Sequence, residues 1–106
     1  MNSERAAVSI SPSPLAPALA RAFLKGTLSA YSTATQDLDG LLIVVSDIAT
    51  ALLGDGDEIQ LEVESDGDHL VLIGNSPAVM PETARLLLDD RINDRDKQWI
   101  VRLTRD

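Results

Sequence analysis

The sequence predicts an α+β fold, a two-layer sandwich with about three helices on one face of a small, mainly antiparallel, three-stranded sheet. Two long segments of the first half carry apolar residues at helical spacing, whereas short segments of the second half alternate strictly between apolar and polar residues. The predicted order is α-α-β-β-α-β. Because 106 residues suffice for one hydrophobic core, we expect one domain over residues 13–106, preceded by a flexible N-terminal arm over residues 1–12.

Composition excludes several functional classes. Seventeen acidic residues against nine basic ones give a formal charge of -8, which opposes direct binding to nucleic acid phosphates. The absence of cysteine excludes disulfides and thiolate metal ligands. No apolar run approaches the length that crosses a bilayer. We therefore expect a cytoplasmic protein with no membrane contact, no bound metal and no cofactor.

The arm is rich in serine, proline and small residues, although residues 7–10 would suit a short strand if a partner strand were present. Ser13 and Pro14 are typical of an N-cap followed by the first helical position. The first helix ends between Gly26 and Tyr31. Its spacing signal is a set of residues that recur every four positions: Leu15, Leu19, Phe23 and Thr27.

The second helix is the most informative segment, DLDGLLIVVSDIATALL from Asp37 to Leu53. Helical spacing places seven apolar residues in one stripe: Leu38, Leu41, Leu42, Val45, Ile48, Ala49 and Leu52. The opposite side is also largely apolar, through Gly40, Val44 and Ala51, which leaves only a narrow polar strip of Ser46, Asp47 and Thr50. We expect this helix to be covered on two sides.

The second half predicts a hairpin, a short helix and a final strand. Residues 58–64 alternate, an Asp-Gly turn follows, and residues 69–73 run back as a more buried strand. Thr83 to Asp90 offers Ala84, Leu87 and Leu88 as the core face of a third helix. The last strand, Gln98 to Thr104, has three apolar residues on one face: Trp99, Val101 and Leu103.

This order supplies a resemblance. The first part of the chain resembles the start of a histidine-kinase-like (GHKL) ATPase domain. The matching segments are, in order, the run RAFLKGTLSA, a polar link, the run LDGLLIVVSDIATALL, an acidic turn and a hairpin. The chain looks most like the small anti-sigma-factor kinases of bacterial partner-switching systems, over about residues 18–75. Their central helix reads roughly SELVTNALRH, and Ser46 to Gly54 corresponds to it. The resemblance implies a sigma factor or an anti-anti-sigma protein as partner, and it allows a homodimer.

Departures from the family pattern imply a shortened, catalytically silent member. In that family a helix glutamate polarises the attacking group, and an asparagine four residues later holds magnesium. Asp47 keeps an acid, but Ala51 stands at the asparagine position. The adenine loop is replaced by Gly74 to Pro77, and the glycine-rich lid is missing. We therefore predict no catalytic residue, with Asp47 as the remnant of a general base, and no cofactor-binding residue unless Asn75 imitates the loop aspartate.

Single residues also have ordinary structural explanations. Asp47 alone is more often a hydrogen-bonded or solvated helix carboxylate than a base. His69 lies beside the hairpin turn, so we expect it to be exposed. Trp99 is more often a core anchor, although an edge-strand tryptophan can be an interface hot spot. Our candidates for contact with a protein partner are Val44, Ala51 and Trp99.

Three hypotheses follow. The first is a non-enzymatic regulatory module that binds another protein or its own copy, in the manner of an anti-sigma factor that has lost its ATP site. The second is a minimal nucleotide-binding kinase or ATPase of the same fold, which would use Asp47 and Asn75. The third is an unrelated small α+β structural or interaction subunit, because fold resemblance does not establish function.

Overall fold

The computed structural model describes residues 4–30, 38–66, 69–88, 92–95 and 97–104. Its helices are α1 (Ala16–Ala30), α2 (Leu38–Gly54) and α3 (Glu82–Leu88). Its strands are β1 (Glu4–Ile10), β2 (Ile59–Asp66), β3 (His69–Asn75), β4 (Ile92–Arg95) and β5 (Gln98–Thr104). The helices pack on one face of the sheet around a single buried cluster, which confirms the two-layer α+β class. None of the helices in these ranges is long and apolar enough to cross a membrane.

The sheet has five strands rather than the predicted three, in the order β1-β2-β3-β5-β4 with every neighbouring pair antiparallel. The predicted strands β2, β3 and β5 form its centre. Strand β1 comes from the segment predicted as a flexible arm, and it forms because β2 supplies the partner strand that the sequence alone does not reveal. Strand β4 was not predicted, since four residues reading INDR carry no clear alternation.

Alternation along the strands separates two faces of the sheet. The inner face carries buried apolar residues that meet the helices: Ile10, Ile59, Leu61, Val63, Leu70, Leu72, Trp99, Val101 and Leu103. The outer face of β1 and β2 is polar, and there Arg5 forms an ion pair with Glu62. Sequence alternation therefore predicted the core correctly in the strands that it identified.

Helix α1 turns a different side to the core than its leucine spacing suggests. Its buried residues are Ala16, Ala20, Leu24 and Leu28, whereas Leu15 and Leu19 are 68% and 50% exposed. The small side chains of Ala16 and Ala20 let the helix approach its neighbours closely. The backbone of Ser13 accepts the N–H of Ala16 at 2.9 Å, so the predicted start of the helix is close to the observed one.

Helix α2 lies between α1 and α3 and above β2, which confirms that it is covered on two sides. Five of the seven residues of its predicted stripe are buried, and Leu38 and Leu42 pack half-buried against the same cluster. The helix ends in a Schellman motif: the N–H of Asp57 donates to the carbonyl of Leu52 and the N–H of Gly56 to that of Leu53, both at 3.0 Å. Gly56 adopts the left-handed conformation that this motif needs, with φ 76°.

Replacing Gly56 by alanine is expected to lower the free energy of unfolding by about 1–2 kcal/mol, because a Cβ is strained at positive φ. Urea denaturation monitored by circular dichroism measures the loss. Gly54→Ala is the matched control, since Gly54 belongs to the same helix end but has no positive φ and open space around it. Equal losses in the two variants would show that left-handed strain at Gly56 is not the cause.

Candidate functional site

The candidate site is the exposed side of α2 together with the segment 76–81, which leads from β3 to α3. These are the segments in which the sequence predicts the remnant of a nucleotide site, between the acid on the helix and the loop after the hairpin. The described chain has only these six residues between β3 and α3. A long lid like that of the family therefore has no room in this segment.

Asp47 is engaged by the third helix. Its Oδ2 accepts a hydrogen bond from the hydroxyl of Thr83, and Thr83 lies in the first turn of α3. The two residues are 36 positions apart, so this contact depends on the packing of α3 against α2. Asp47, which the sequence predicts to be the remnant of a general base, thus forms a hydrogen bond between α2 and α3.

The segment 76–81 is fixed at several points. The N–H of Ala78 donates to Oδ2 of Asp55 at 2.9 Å, and the N–H of Ser76 donates to the carbonyl of Lys97 at 2.8 Å. Pro77 and Met80 are buried. Asp55, which the sequence placed only in an acidic turn, therefore ties this segment to the end of α2.

Asn75, the last residue of β3, has a structural role at the open end of the hairpin. Its Oδ1 accepts the N–H of Gln60 at 2.8 Å, and its Nδ2 donates to the carbonyl of Glu58 at 2.7 Å. The side chain therefore replaces a backbone pairing at the open end of the β2–β3 ladder. Asp47 and Asn75, which the nucleotide-binding hypothesis needs together, are each directed to a different partner.

The three residues suggested for partner contact lie in different surroundings. Val44 is fully buried, and Trp99 is 1% exposed. Neither offers its side chain to a partner in this structure, because other elements of the same chain already cover both. Ala51 is half-buried, and its contact with a partner stays a prediction.

The remaining polar residues of the predicted strip have local roles. The hydroxyl of Thr50 donates to the carbonyl of Ser46 at 2.8 Å, as helical threonines commonly do. His69 is exposed, as predicted. Across the described ranges no three His, Asp or Glu residues are grouped in a way that could hold a metal ion.

A groove that the sequence did not predict lies between α1 and α2; it is open to solvent and has a volume of about 480 Å³. Arg21 of α1 lines one side, and the α2 side consists of Asp39, Leu42, Ile43, Ser46 and Asp47. Ile43 is 50% exposed. The sequence does contain one indication of this groove. On a helical wheel, Ile43 falls among the polar residues of α2 rather than on its core stripe.

The fold is similar to the crystal structure of the RsbU and RsbW domains of Rv1364c from Mycobacterium tuberculosis, with a TM-score of 0.69 and 15% sequence identity. The similarity covers 96% of this chain and 32% of that chain, so the present chain spans about a third of the matched structure's length. At this identity the likeness establishes the fold. No protein-family model and no curated protein matches the sequence.

Proposed function

We propose that the chain is a non-enzymatic regulatory module that acts by binding another protein, as an anti-sigma factor whose ATP site has been lost. The observation that carries the proposal is the hydrogen bond from Thr83 to Asp47. Where the resemblance implies nucleotide and magnesium, one oxygen of the acid accepts a hydrogen bond from a side chain of the third helix.

Two further features support the loss of nucleotide chemistry. Asn75 directs its amide oxygen and nitrogen to backbone groups of β2 and its preceding turn, so ligand binding would have to break these bonds. The side chain of Ala51, one turn after Asp47, has no oxygen with which to ligate magnesium. The formal charge of -8 also disfavours a polyphosphate ligand.

The groove between α1 and α2 is the surface that we assign to the protein partner. It combines an exposed apolar side chain, Ile43, with charged residues at its borders, Arg21 and Asp39. An apolar centre with a polar rim is typical of protein interfaces. From the resemblance in the sequence, we propose a sigma factor or an anti-anti-sigma protein as that partner. The likeness to a structure that contains an RsbW domain supports the fold on which this proposal depends.

Titration of the purified chain with ATP and magnesium in a calorimeter is expected to give no binding heat. The matched test is Thr83→Val, which preserves side-chain shape while releasing Asp47 from its hydroxyl partner. If the wild type binds nucleotide, and Asp47→Asn abolishes the binding or any turnover, the silent-domain proposal is wrong.

A nucleotide-binding alternative retains one observation in its favour. Arg21 and Ser46 line the groove beside Asp47, and a guanidinium is a good phosphate ligand. Asp39 and Asp47 on the same groove oppose it by charge repulsion. An Arg21→Ala variant separates the regulatory module from the nucleotide-binding alternative. Only the alternative predicts that the wild type binds ATP and that the variant loses this binding.

Partner binding is tested by co-expression with the sigma factor or anti-anti-sigma protein encoded nearest to this chain. We expect a complex that survives purification, and we expect Ile43→Glu to weaken it at least about tenfold, because an interface centre tolerates buried charge poorly. Leu86→Glu is the control, as Leu86 is 71% exposed on α3 and does not line the groove. Equal weakening by both variants would count against the groove.

A further inference from the structure

The groove between α1 and α2 has a regular chemical pattern on its α2 wall. Asp39, Ile43 and Asp47 line this wall at intervals of four residues. At 3.6 residues per turn the three positions lie within about 80° of the helix surface, and the two carboxylates are about 12 Å apart along the axis. The wall is therefore acidic at both ends and apolar between them.

The side chains of this wall are accessible to a partner. Asp39 is exposed, Ile43 is 50% exposed and Asp47 is half-buried. Asp47 accepts a hydrogen bond from Thr83, and a carboxylate has further lone pairs that can accept a bond from a cation. Leu42 lies half-buried in the same groove and extends its apolar centre.

The α1 wall carries the opposite charge. Arg21 is exposed and lines the groove, and in the described part of the chain it forms no ion pair with Asp39 or Asp47. The groove thus has acids on one wall and a cation on the other, without a contact that neutralises them. A complementary partner has cations on the flank turned to α2 and no cation on the flank turned to α1.

A helix fits this groove better than an extended segment does. Both walls are helices, so an extended backbone would find no sheet edge with which to pair its N–H and C=O groups, whereas a helix satisfies its own backbone. Positions four residues apart on any helix are about 6 Å apart along its axis. When two helices pack close to parallel or antiparallel, three such positions of the partner can face Asp39, Ile43 and Asp47 in turn.

We propose that the groove binds an amphipathic helix of the protein partner, one that presents a basic, an apolar and a basic side chain at four-residue spacing. The apolar side chain packs on Ile43 and Leu42, and the two basic side chains pair with Asp39 and Asp47. This inference rests on the proposed function, because it names the chemistry of the partner for the same groove. The formal charge of -8 favours the approach of such a cationic segment.

An alanine-rich synthetic helix with lysine, leucine and lysine at four-residue spacing is the probe, and fluorescence anisotropy measures its binding to the whole chain. We expect saturable binding that weakens with added salt, because exposed charge pairs are screened. A peptide with glutamate in place of both lysines should bind at least about tenfold more weakly, and so should a lysine peptide whose helix is broken by proline. No saturable binding of the lysine peptide, or equal binding of either control peptide, would overturn the proposal.

A charge swap tests whether the probe binds in the groove. Asp39→Lys is expected to weaken binding of the lysine peptide at least about tenfold, and a peptide with glutamate at one of the two lysine positions should recover affinity for this variant. The position that recovers gives the direction of the bound helix. Asp57→Lys is the matched control, since Asp57 is exposed between α2 and β2 and does not line the groove. Recovery at neither position, or equal weakening by Asp57→Lys, would contradict the assignment.

The complex with the regulatory partner separates this inference from the proposed function. If a sigma factor or anti-anti-sigma protein binds the chain and Asp39→Lys leaves that complex as tight as the wild type, the chemistry assigned to the groove is wrong and the proposed function stands. If the lysine peptide binds and the charge swap succeeds, but neither regulatory protein forms a complex, the proposed function is wrong and the groove inference stands.

Discussion

Replacing Trp99 by alanine is expected to lower the free energy of unfolding by about 3–5 kcal/mol. Trp99 is the largest fully buried side chain among the described residues, with 1% of its surface exposed. It lies on the inner face of β5, and its indole N–H donates to the carbonyl of Asn75 at 3.1 Å. Its removal leaves a cavity and an unpaired carbonyl. Since small domains have only about 5–15 kcal/mol of stability, the loss is a large fraction of the total.

Urea denaturation of the purified variant measures this loss as a shift of the midpoint at constant slope. Ile100→Ala is the matched control, because Ile100 is the next residue of the same strand and is half-buried on the opposite face. Trp99→Phe keeps a large ring but removes the hydrogen bond, so its loss should be intermediate. A loss at Trp99 no larger than that at Ile100 would contradict the assignment of Trp99 as the central core residue.

The elements that sequence alone could predict are those with a strong period. Strand β5 was predicted with its observed bounds because Trp99, Val101 and Leu103 alternate with polar or half-buried neighbours. The hairpin of β2 and β3 is confirmed on both sides of its turn, whose Gly67 and Asp68 lie outside the described residues. In these segments the local pattern and the burial agree.

The two outer strands show what a local pattern lacks. Segment 4–10 is a strand because β2 pairs with it along seven residues, and pairing partners 49 to 61 positions away leave no mark in the segment itself. Strand β4 is four residues long and pairs with β5. Both strands owe their structure to tertiary pairing rather than to their own propensity.

Helix α1 illustrates a different difficulty, since two stripes with a four-residue spacing lie side by side in its sequence. Large leucines mark one, and the other, through Ala16 and Ala20, is the buried one. Side-chain size alone predicts that the leucines are buried. In the structure the alanines are buried instead, because a helix that packs against another helix and a sheet needs small residues where the backbones approach.

The sequence alone could not predict the hydrogen bonds of the candidate site. The sequence identified Asp47 and Asn75 as the residues on which nucleotide chemistry would depend. Their observed partners, Thr83 and the backbone at Glu58 and Gln60, follow from how α3 and the hairpin pack. A motif comparison alone shows which residues of the family pattern are missing. The structure adds the hydrogen-bond partners of the polar residues that remain.

Replacing Gly74 by alanine is expected to destabilise the protein by about 1–3 kcal/mol, through a clash with Trp99. Gly74 faces Trp99 across the β3–β5 pair, and an ideal Cβ at Gly74 would lie 2.5 Å from Cε2 and Cζ2 of the indole ring. That separation is far below van der Waals contact, so the ring would have to move. Its movement would also strain the hydrogen bond to Asn75.

A double-mutant cycle isolates the clash from the other effects of the added methyl group. In a Trp99→Leu background the ring is absent, so Gly74→Ala should cost clearly less than it does in the wild type. Gly26→Ala is the control for the glycine itself: a Cβ at Gly26 meets nothing within 4 Å, and inside α1 the change should stabilise by about 1 kcal/mol. If Gly74→Ala costs the same in both backgrounds, the glycine is required for a reason other than the indole ring.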